Sequence, residues 1–230
     1  MSPRTIVVFG SGPGIGNHVA AAFASHGFEH VILLARNAER LKSSDAGFVT
    51  SASPKAKVTT LRLDLADTAS IPGVLEKIEE IAPEIEVVFF NAAVVQFTEG
   101  ALSVSVETIE TDFKVTNLAL YSIAQWAVPR LTTLAAKSPT TKPSLLVTNS
   151  HLPWDPVPQL LSLSLVKAAQ RNMVTSLSRA YGERGVHFGL ITVQGIVSPE
   201  AKVVNPKNIA EKAWNFFEEG KNLEIVIKEE

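Results

Sequence analysis

Cysteine is absent from the 230 residues, so no disulfide scaffold, thiolate nucleophile or cysteine-ligated metal or iron–sulfur site is open to this chain. A chain without disulfides suits a reducing compartment, and a cytoplasmic location is the expectation. Tyrosine is scarce, with two in the chain, which narrows any chemistry that needs a phenol. An excess of one charge is lacking too: 21 Lys+Arg stand against 23 Asp+Glu. That balance leaves no electrostatic footprint for nucleic acid or an anionic membrane, and neither is expected as a partner. No apolar run approaches the ~20 residues that span a bilayer, no targeting segment is expected at the N-terminus, and no fixed-period repeat occurs. What is present is a chain 46% hydrophobic, of a length that fits one domain over residues 1–230.

Short apolar, β-branched runs at 5–9, 30–35, 58–63, 86–90, 144–149, 186–193 and 223–228 have the length of buried strands. Between them, apolar residues at three- and four-residue spacing predict helices over 15–26, 70–81 with Pro72 near the first turn, 106–131, 160–184 and 208–219. Residues 132–143 read as a surface loop. Strict alternation of strand and helix predicts a doubly wound, Rossmann-type α/β domain, a parallel sheet of about seven strands with helices on both faces. Such sheets bind ligands beyond the carboxyl ends of the strands, where the strand order reverses. Function is therefore expected just after the strands, at residues 10–16, 35–37, Asp64, Asn91, Ser150 and Gly195.

The first of these turns reads Gly10-Ser11-Gly12-Pro13-Gly14-Ile15-Gly16. A side chain there would hold a phosphate away from backbone N–H groups, and glycine alone takes positive φ freely. The common G-x-G-x-x-G spacing fails because position 15 is Ile. The spacing Gly10-x-x-x-Gly14-x-Gly16 instead resembles the short-chain dehydrogenases/reductases, and the likeness runs over essentially the whole chain. It implies that residues Gly10, Ser11, Gly12, Gly14, Ile15 and Gly16 cradle a pyrophosphate. Asp64 and Leu65 would meet the adenine, and Asn91 and Ala92, in Asn-Ala-Ala, would line the adenosine ribose. Lys167 would hold the nicotinamide ribose, with Gly195 and Ile196 beside the nicotinamide.

Charge selects among dinucleotides. An acid after the second strand accepts hydrogen bonds from a ribose 2′-OH, whereas a 2′-phosphate calls for a guanidinium. Residues 31–38 contain no acid and include Arg36 and Asn37, so NADP(H) is the expected cofactor, with Arg40 as a second contact.

The resemblance also implies catalytic positions: Asn117 in the long helix, Ser150 at the end of the fifth strand, and Lys167. Family chemistry takes its proton from a tyrosine four residues before the lysine, with a pKa lowered by the ammonium. Here that position is Leu163. Tyr121 and Tyr181 lie elsewhere, and packing is the expected role of Tyr121. Substitute donors in the loop after Ser150 are His151, which titrates near neutrality, and Asp155, which needs burial to do so; Ser164 is a further candidate. About a dozen residues separate Gly195 from the next helix near Pro206, too few for the family's two-helix substrate lid.

The resulting expectation is an atypical NADP(H)-dependent oxidoreductase that moves hydride to or from a carbonyl, imine or conjugated double bond of a small molecule. Two alternatives stand beside it: a lyase, isomerase or cyclase on the same scaffold, and a non-catalytic NADP(H)-binding sensor or partner subunit. Family members pack through the two long helices, so a homodimer or homotetramer is expected.

Overall fold

A computed structural model describes residues 2–229. Strands β1 (Thr5–Phe9), β2 (His30–Ala35), β3 (Lys57–Arg62), β4 (Val87–Phe90), β5 (Ser144–Ser150), β6 (His187–Gln194) and β7 (Glu224–Lys228) form one sheet in the order β3-β2-β1-β4-β5-β6-β7. Every pairing is parallel, so this is the expected doubly wound α/β fold. The order reverses between β1 and β4, and beyond their carboxyl ends the connections run to opposite faces of the sheet, which leaves room for a ligand.

Alternation along each strand sends side chains to two cores. Ile6 and Val8 of β1 pack with α1 (Ile15–Ser25), α3 (Ala46–Ala52) and α8 (Pro206–Glu219). Val7 and Phe9 pack with α4 (Ile71–Ile81), α6 (Ala119–Lys137) and α7 (Leu161–Tyr181). Strands buried on both faces read as continuous apolar runs, which is why their positions were legible. Each fully buried Phe, Ile or Leu contributes about 1.5–3 kcal/mol. Among them Phe23 of α1 meets Trp214 of α8 edge-on with centroids 5.2 Å apart. Gly189 in β6 makes room for this face, since a Cβ there would run into the Phe216 ring and, at 2.8 Å, into Leu146; a glycine inside a strand marks such a close approach.

Three elements depart from the sequence reading. Residues 38–52, read as neither strand nor helix, form α2 (Ala38–Arg40), a π-helical turn Leu41–Asp45 and α3. The signal was faint because the buried positions after Asn37 are Leu41, Asp45 and Val49, and a buried aspartate interrupts the apolar stripe. Helix α6 runs to Lys137, past the expected end at 131 and into the supposed loop. The long helix of 106–137 is also not uniform: α5 (Val106–Phe113) and α6 are joined by a π-helical turn, Lys114–Leu118, that carries Asn117. Among the described residues, no helix is long and apolar enough to cross a membrane.

Candidate functional site

The chain leaves β1 at Phe9 and turns through residues 10–16 into α1. Gly10 has φ +92°, and a Cβ on it would lie 2.6 Å from the Ala92 amide nitrogen; a Cβ on Gly16 would lie 2.6 Å from the Gly10 carbonyl oxygen. These two glycines let the end of β4 and the start of α1 close in on the loop. Gly14 is different, because a Cβ there would meet nothing within 4 Å. It begins α1 without a side-chain cap; the Asn17 amide donates to the Gly12 carbonyl at 3.0 Å, and the positive end of the helix dipole lies beside the open Gly14, an arrangement that suits a phosphate.

A buried network holds this loop. Asn17 Oδ1 accepts from Ser11 Oγ at 2.7 Å and from the Gly12 amide at 2.9 Å, while its Nδ2 donates to Asp45 Oδ1 at 2.8 Å. Asp45, 1% exposed, accepts on Oδ2 from Arg40 Nε at 3.1 Å, and Arg40 Nη2 donates to the Ser11 carbonyl at 2.7 Å. A buried carboxylate needs this pairing, since an unmatched one would carry a large desolvation cost. Asn17 and Asp45 escaped the sequence reading. Asn17 sits one residue beyond the glycine motif, and nothing in the sequence ties Asp45 to it. Arg40, expected to contact a ligand, has two of its three nitrogens committed to the loop.

In front of the loop lies a cleft of about 730 Å³ lined by Gly10, Ser11, Arg36, Asn37, Arg40, Asp64, Leu65, Asn91, Ala92 and apolar neighbours from Phe9 to Val115. Nine of the predicted cofactor positions thus meet in one space. Asn37 Oδ1 caps α2 by accepting from the Arg40 amide at 2.9 Å, and Asp64 Oδ1 accepts from the Ala66 amide at 3.0 Å. The Asn91 side chain is internal: it donates to the Gly10 carbonyl at 3.1 Å and accepts from Thr148 Oγ1 at 2.8 Å, tying the loop to β5. Arg36 is exposed and makes no ion pair among the described residues. Arg62, which the sequence reading did not single out, donates Nε to the Arg36 carbonyl at 3.2 Å, so a second guanidinium stands at that rim.

The predicted catalytic residues are not among those that line this cleft; Ser150 ends β5, Lys167 lies in α7 and Asn117 in the turn before α6. Lys167 is 5% exposed; its Nζ donates to the Thr148 carbonyl at 2.7 Å and to Gln170 Oε1 at 3.0 Å. Burial pulls its pKa from 10.5 down to about 7. Asn117 Nδ2 donates to the Val166 carbonyl at 3.1 Å, and Asn149 Nδ2 donates to the Lys167 carbonyl at 3.1 Å. Asn117 Oδ1 and Thr116 Oγ1 are buried without a protein partner. Ser150 Oγ accepts from the Leu152 amide at 3.3 Å. Leu163 is buried in an apolar cluster with Leu152 and Val166. Ser164 Oγ donates to the Leu160 carbonyl of its own helix at 2.9 Å.

The loop after Ser150 folds tightly, with the Trp154 and Asp155 amides both donating to the His151 carbonyl at 2.9 and 3.0 Å. His151 Nδ1 is buried and unpaired by protein, while Asp155 is exposed. Trp154 lies over the Arg171 guanidinium at 4.4 Å. After β6, Gly195 has φ +118° and Ile196 is exposed. Residues 195–205 contain no helix; the Val203 and Val204 amides donate to Glu229 Oε1 at 2.8 and 2.9 Å, which ties the segment down. Tyr121 and Tyr181 line a separate groove between α6 and α7. Among the described residues, no cluster of three His, Asp or Glu is placed to hold a metal.

A sequence model of the family described as short chain dehydrogenase matches residues 4–209. The chain is 24% identical over 201 residues to the short chain dehydrogenase/reductase dmxR12 of Cryptosporiopsis sp. (strain 8999), covering 82% of this chain and 75% of that protein. Other matches span as little as 28% of the relative's own length. The fold superposes on a metagenomic short-chain oxidoreductase in complex with NADP with a TM-score of 0.84 at 19% identity, covering 100% of this chain and 98% of the other. It superposes on the NADH-dependent reductase A1-R′ complexed with NAD with a TM-score of 0.81 at 18% identity, covering 94% and 88%.

Proposed function

The chain belongs to the short-chain dehydrogenase family, and from that premise we propose that its cleft holds NADP(H) and that it is an atypical oxidoreductase lacking the family's tyrosine, with Leu163 in its place. The observation that carries the cofactor is the pairing of a glycine cradle open at Gly14 with the unpaired Arg36 guanidinium on the cleft rim. A 2′-phosphate offers that guanidinium two acceptor oxygens, while a 2′-hydroxyl offers it a single weak one. NADP(H), when bound, supplies or removes hydride. Gly10, Gly14 and Gly16 admit the pyrophosphate, Asp64 and Leu65 border the adenine, and Arg36, with Arg62 behind it, selects the 2′-phosphate.

Ser150, at the end of β5, supplies the hydroxyl of the proposed reaction face, and Leu163 has no proton to give. Substrates that need little help from an acid, imines and conjugated double bonds of small molecules, therefore suit the site better than ketones do. A second reading, an NADP(H)-binding protein without turnover, is favoured by the inward bonds of Lys167. Exposed Leu118, Tyr121 and Leu165 on the long helices fit a homodimer or homotetramer, and the reducing cytoplasm fits a chain without cysteine.

Titration of the tryptophan fluorescence with NADPH and NADH tests the cofactor reading. NADPH is expected to bind at least tenfold more tightly; equal affinity, or a preference for NADH, contradicts it. A panel of ketones, imines and enones with NADPH then separates the two readings: oxidation of NADPH by any of them supports the enzyme, and none with NADPH tightly bound supports the binding protein.

A further inference from the structure

The cleft stops short of the residues that should meet the far half of the cofactor. Its lining comes from the ends of β1 to β4 and from Val115; Ser150, Lys167 and Gly195 are not part of it. Three further observations show the side chains of this region engaged within the protein. The Lys167 ammonium group has two acceptors, the Thr148 carbonyl and Gln170 Oε1, both inside the protein, and Gln170 is fully buried. Two of the Nζ–H donors are thus engaged on acceptors inside the protein, which holds the side chain inward. On the same helix, Leu163, four residues before Lys167, is packed into an apolar cluster with Leu152 and Val166. The 151–155 turn is folded on itself, with Trp154 set over Arg171 on α7.

Polar groups around the adenosine half act differently. Asn17, Asp45 and Arg40 spend their hydrogen bonds on holding the loop open, while Gly14 and Arg36 remain available. Resting on the NADP(H) reading above, we propose that the site recognises its ligand by the 2′-phosphorylated adenosine diphosphate end alone, and that the nicotinamide riboside adds almost nothing to affinity. Binding of this kind is blind to redox state, because NADP+ and NADPH differ only in the ring that the protein does not grip. Occupancy of the site then follows the whole NADP(H) pool rather than its reduced fraction.

Isothermal titration of the full chain with 2′-phosphoadenosine 5′-diphosphate, NADP+ and NADPH, each under the same buffer and salt, tests this. The expected result is three dissociation constants within fivefold of one another. NADPH or NADP+ binding more than fivefold tighter than the truncated nucleotide, or more than fivefold apart from each other, overturns the inference and leaves the NADP(H) reading standing. Failure of all three to bind overturns both. In parallel, Arg36→Ala is expected to weaken all three ligands by the same factor; a loss confined to the truncated nucleotide would show that the riboside is gripped after all.

Discussion

Residues 10–45 bury four polar or charged side chains and residues 148–170 bury six, and the two regions use them in opposite ways. Around the glycine loop, Asp45, Asn17 and Ser11 are buried and mutually satisfied, and their bonds keep a concave surface free. Around α7, Lys167, Asn149 and Asn117 bond to backbone carbonyls of their own neighbourhood, while Thr116 Oγ1 and Asn117 Oδ1 find no protein partner. Satisfied buried networks hold one geometry firmly, whereas unpaired buried groups cost about 1–3 kcal/mol each. The contrast teaches that buried polar groups of one fold can either hold a concave surface free, as around the glycine loop, or turn inward on their own backbone, as around α7.

The sharpest way to break the built half is Gly10→Ala. A methyl group would be forced to 2.6 Å from the Ala92 nitrogen at φ +92°, so strain and overpacking should cost about 2–4 kcal/mol of stability and NADPH binding should fall by about a hundredfold. Thermal melts and fluorescence titration report both; an unchanged melt contradicts the packing described here. Arg36→Ala comes next. Loss of one charged contact worth about 1.5–3 kcal/mol should weaken NADPH about 10- to 100-fold and leave NADH within twofold, as read by titration with each nucleotide.

On the other half the expected effects are smaller. Leu163→Tyr places a phenol into a cluster with Leu152 and Val166, so it should lower stability by about 1–3 kcal/mol through overpacking. It should not by itself confer ketone reduction, because Lys167 stays bonded inward; rapid ketone reduction by this variant in an NADPH assay would show the reaction centre to be intact. Lys167 also predicts a pH dependence. Its folded pKa, about 7, lies below its unfolded value of ~10.4, so the unfolded chain binds more protons between those values and stability rises with pH across that window. The cost of burying the amine is fully present below pH 7 and lifts as pH approaches 10. Compared with Lys167→Met by urea unfolding, the wild type should gain about 1 kcal/mol per pH unit from 7 to 10; parallel stability curves contradict a depressed lysine. Smallest of all, Thr116→Val replaces an unpaired buried hydroxyl by a methyl of similar shape and should be neutral or raise stability by up to about 1 kcal/mol. A clear fall in melting temperature would mean that the hydroxyl is paired in solution.

How far the sequence could be read follows the same division. Strands β1, β2 and β4 announce themselves as continuous apolar runs because both faces are buried, and the glycines of the loop announce backbone geometry that other side chains cannot adopt. Arg36, Asp64 and Ala92 were placed at the cleft because strand ends are easy to count. The network beneath the loop was not legible, since Asn17 and Asp45 are 28 residues apart and only the fold joins them. Nor could motif matching show which way Lys167 points: its position follows from spacing to Ser150, but its direction follows from Gln170, a residue with no motif of its own.

A crystal structure of the chain with NADP+ decides most directly whether the two halves differ as described. The expected result is an ordered adenosine and pyrophosphate against Arg36 and the α1 N-terminus, with Lys167 Nζ still on the Thr148 carbonyl and Gln170 Oε1. A Lys167 side chain swung out onto the ribose hydroxyls beside an ordered nicotinamide would contradict it.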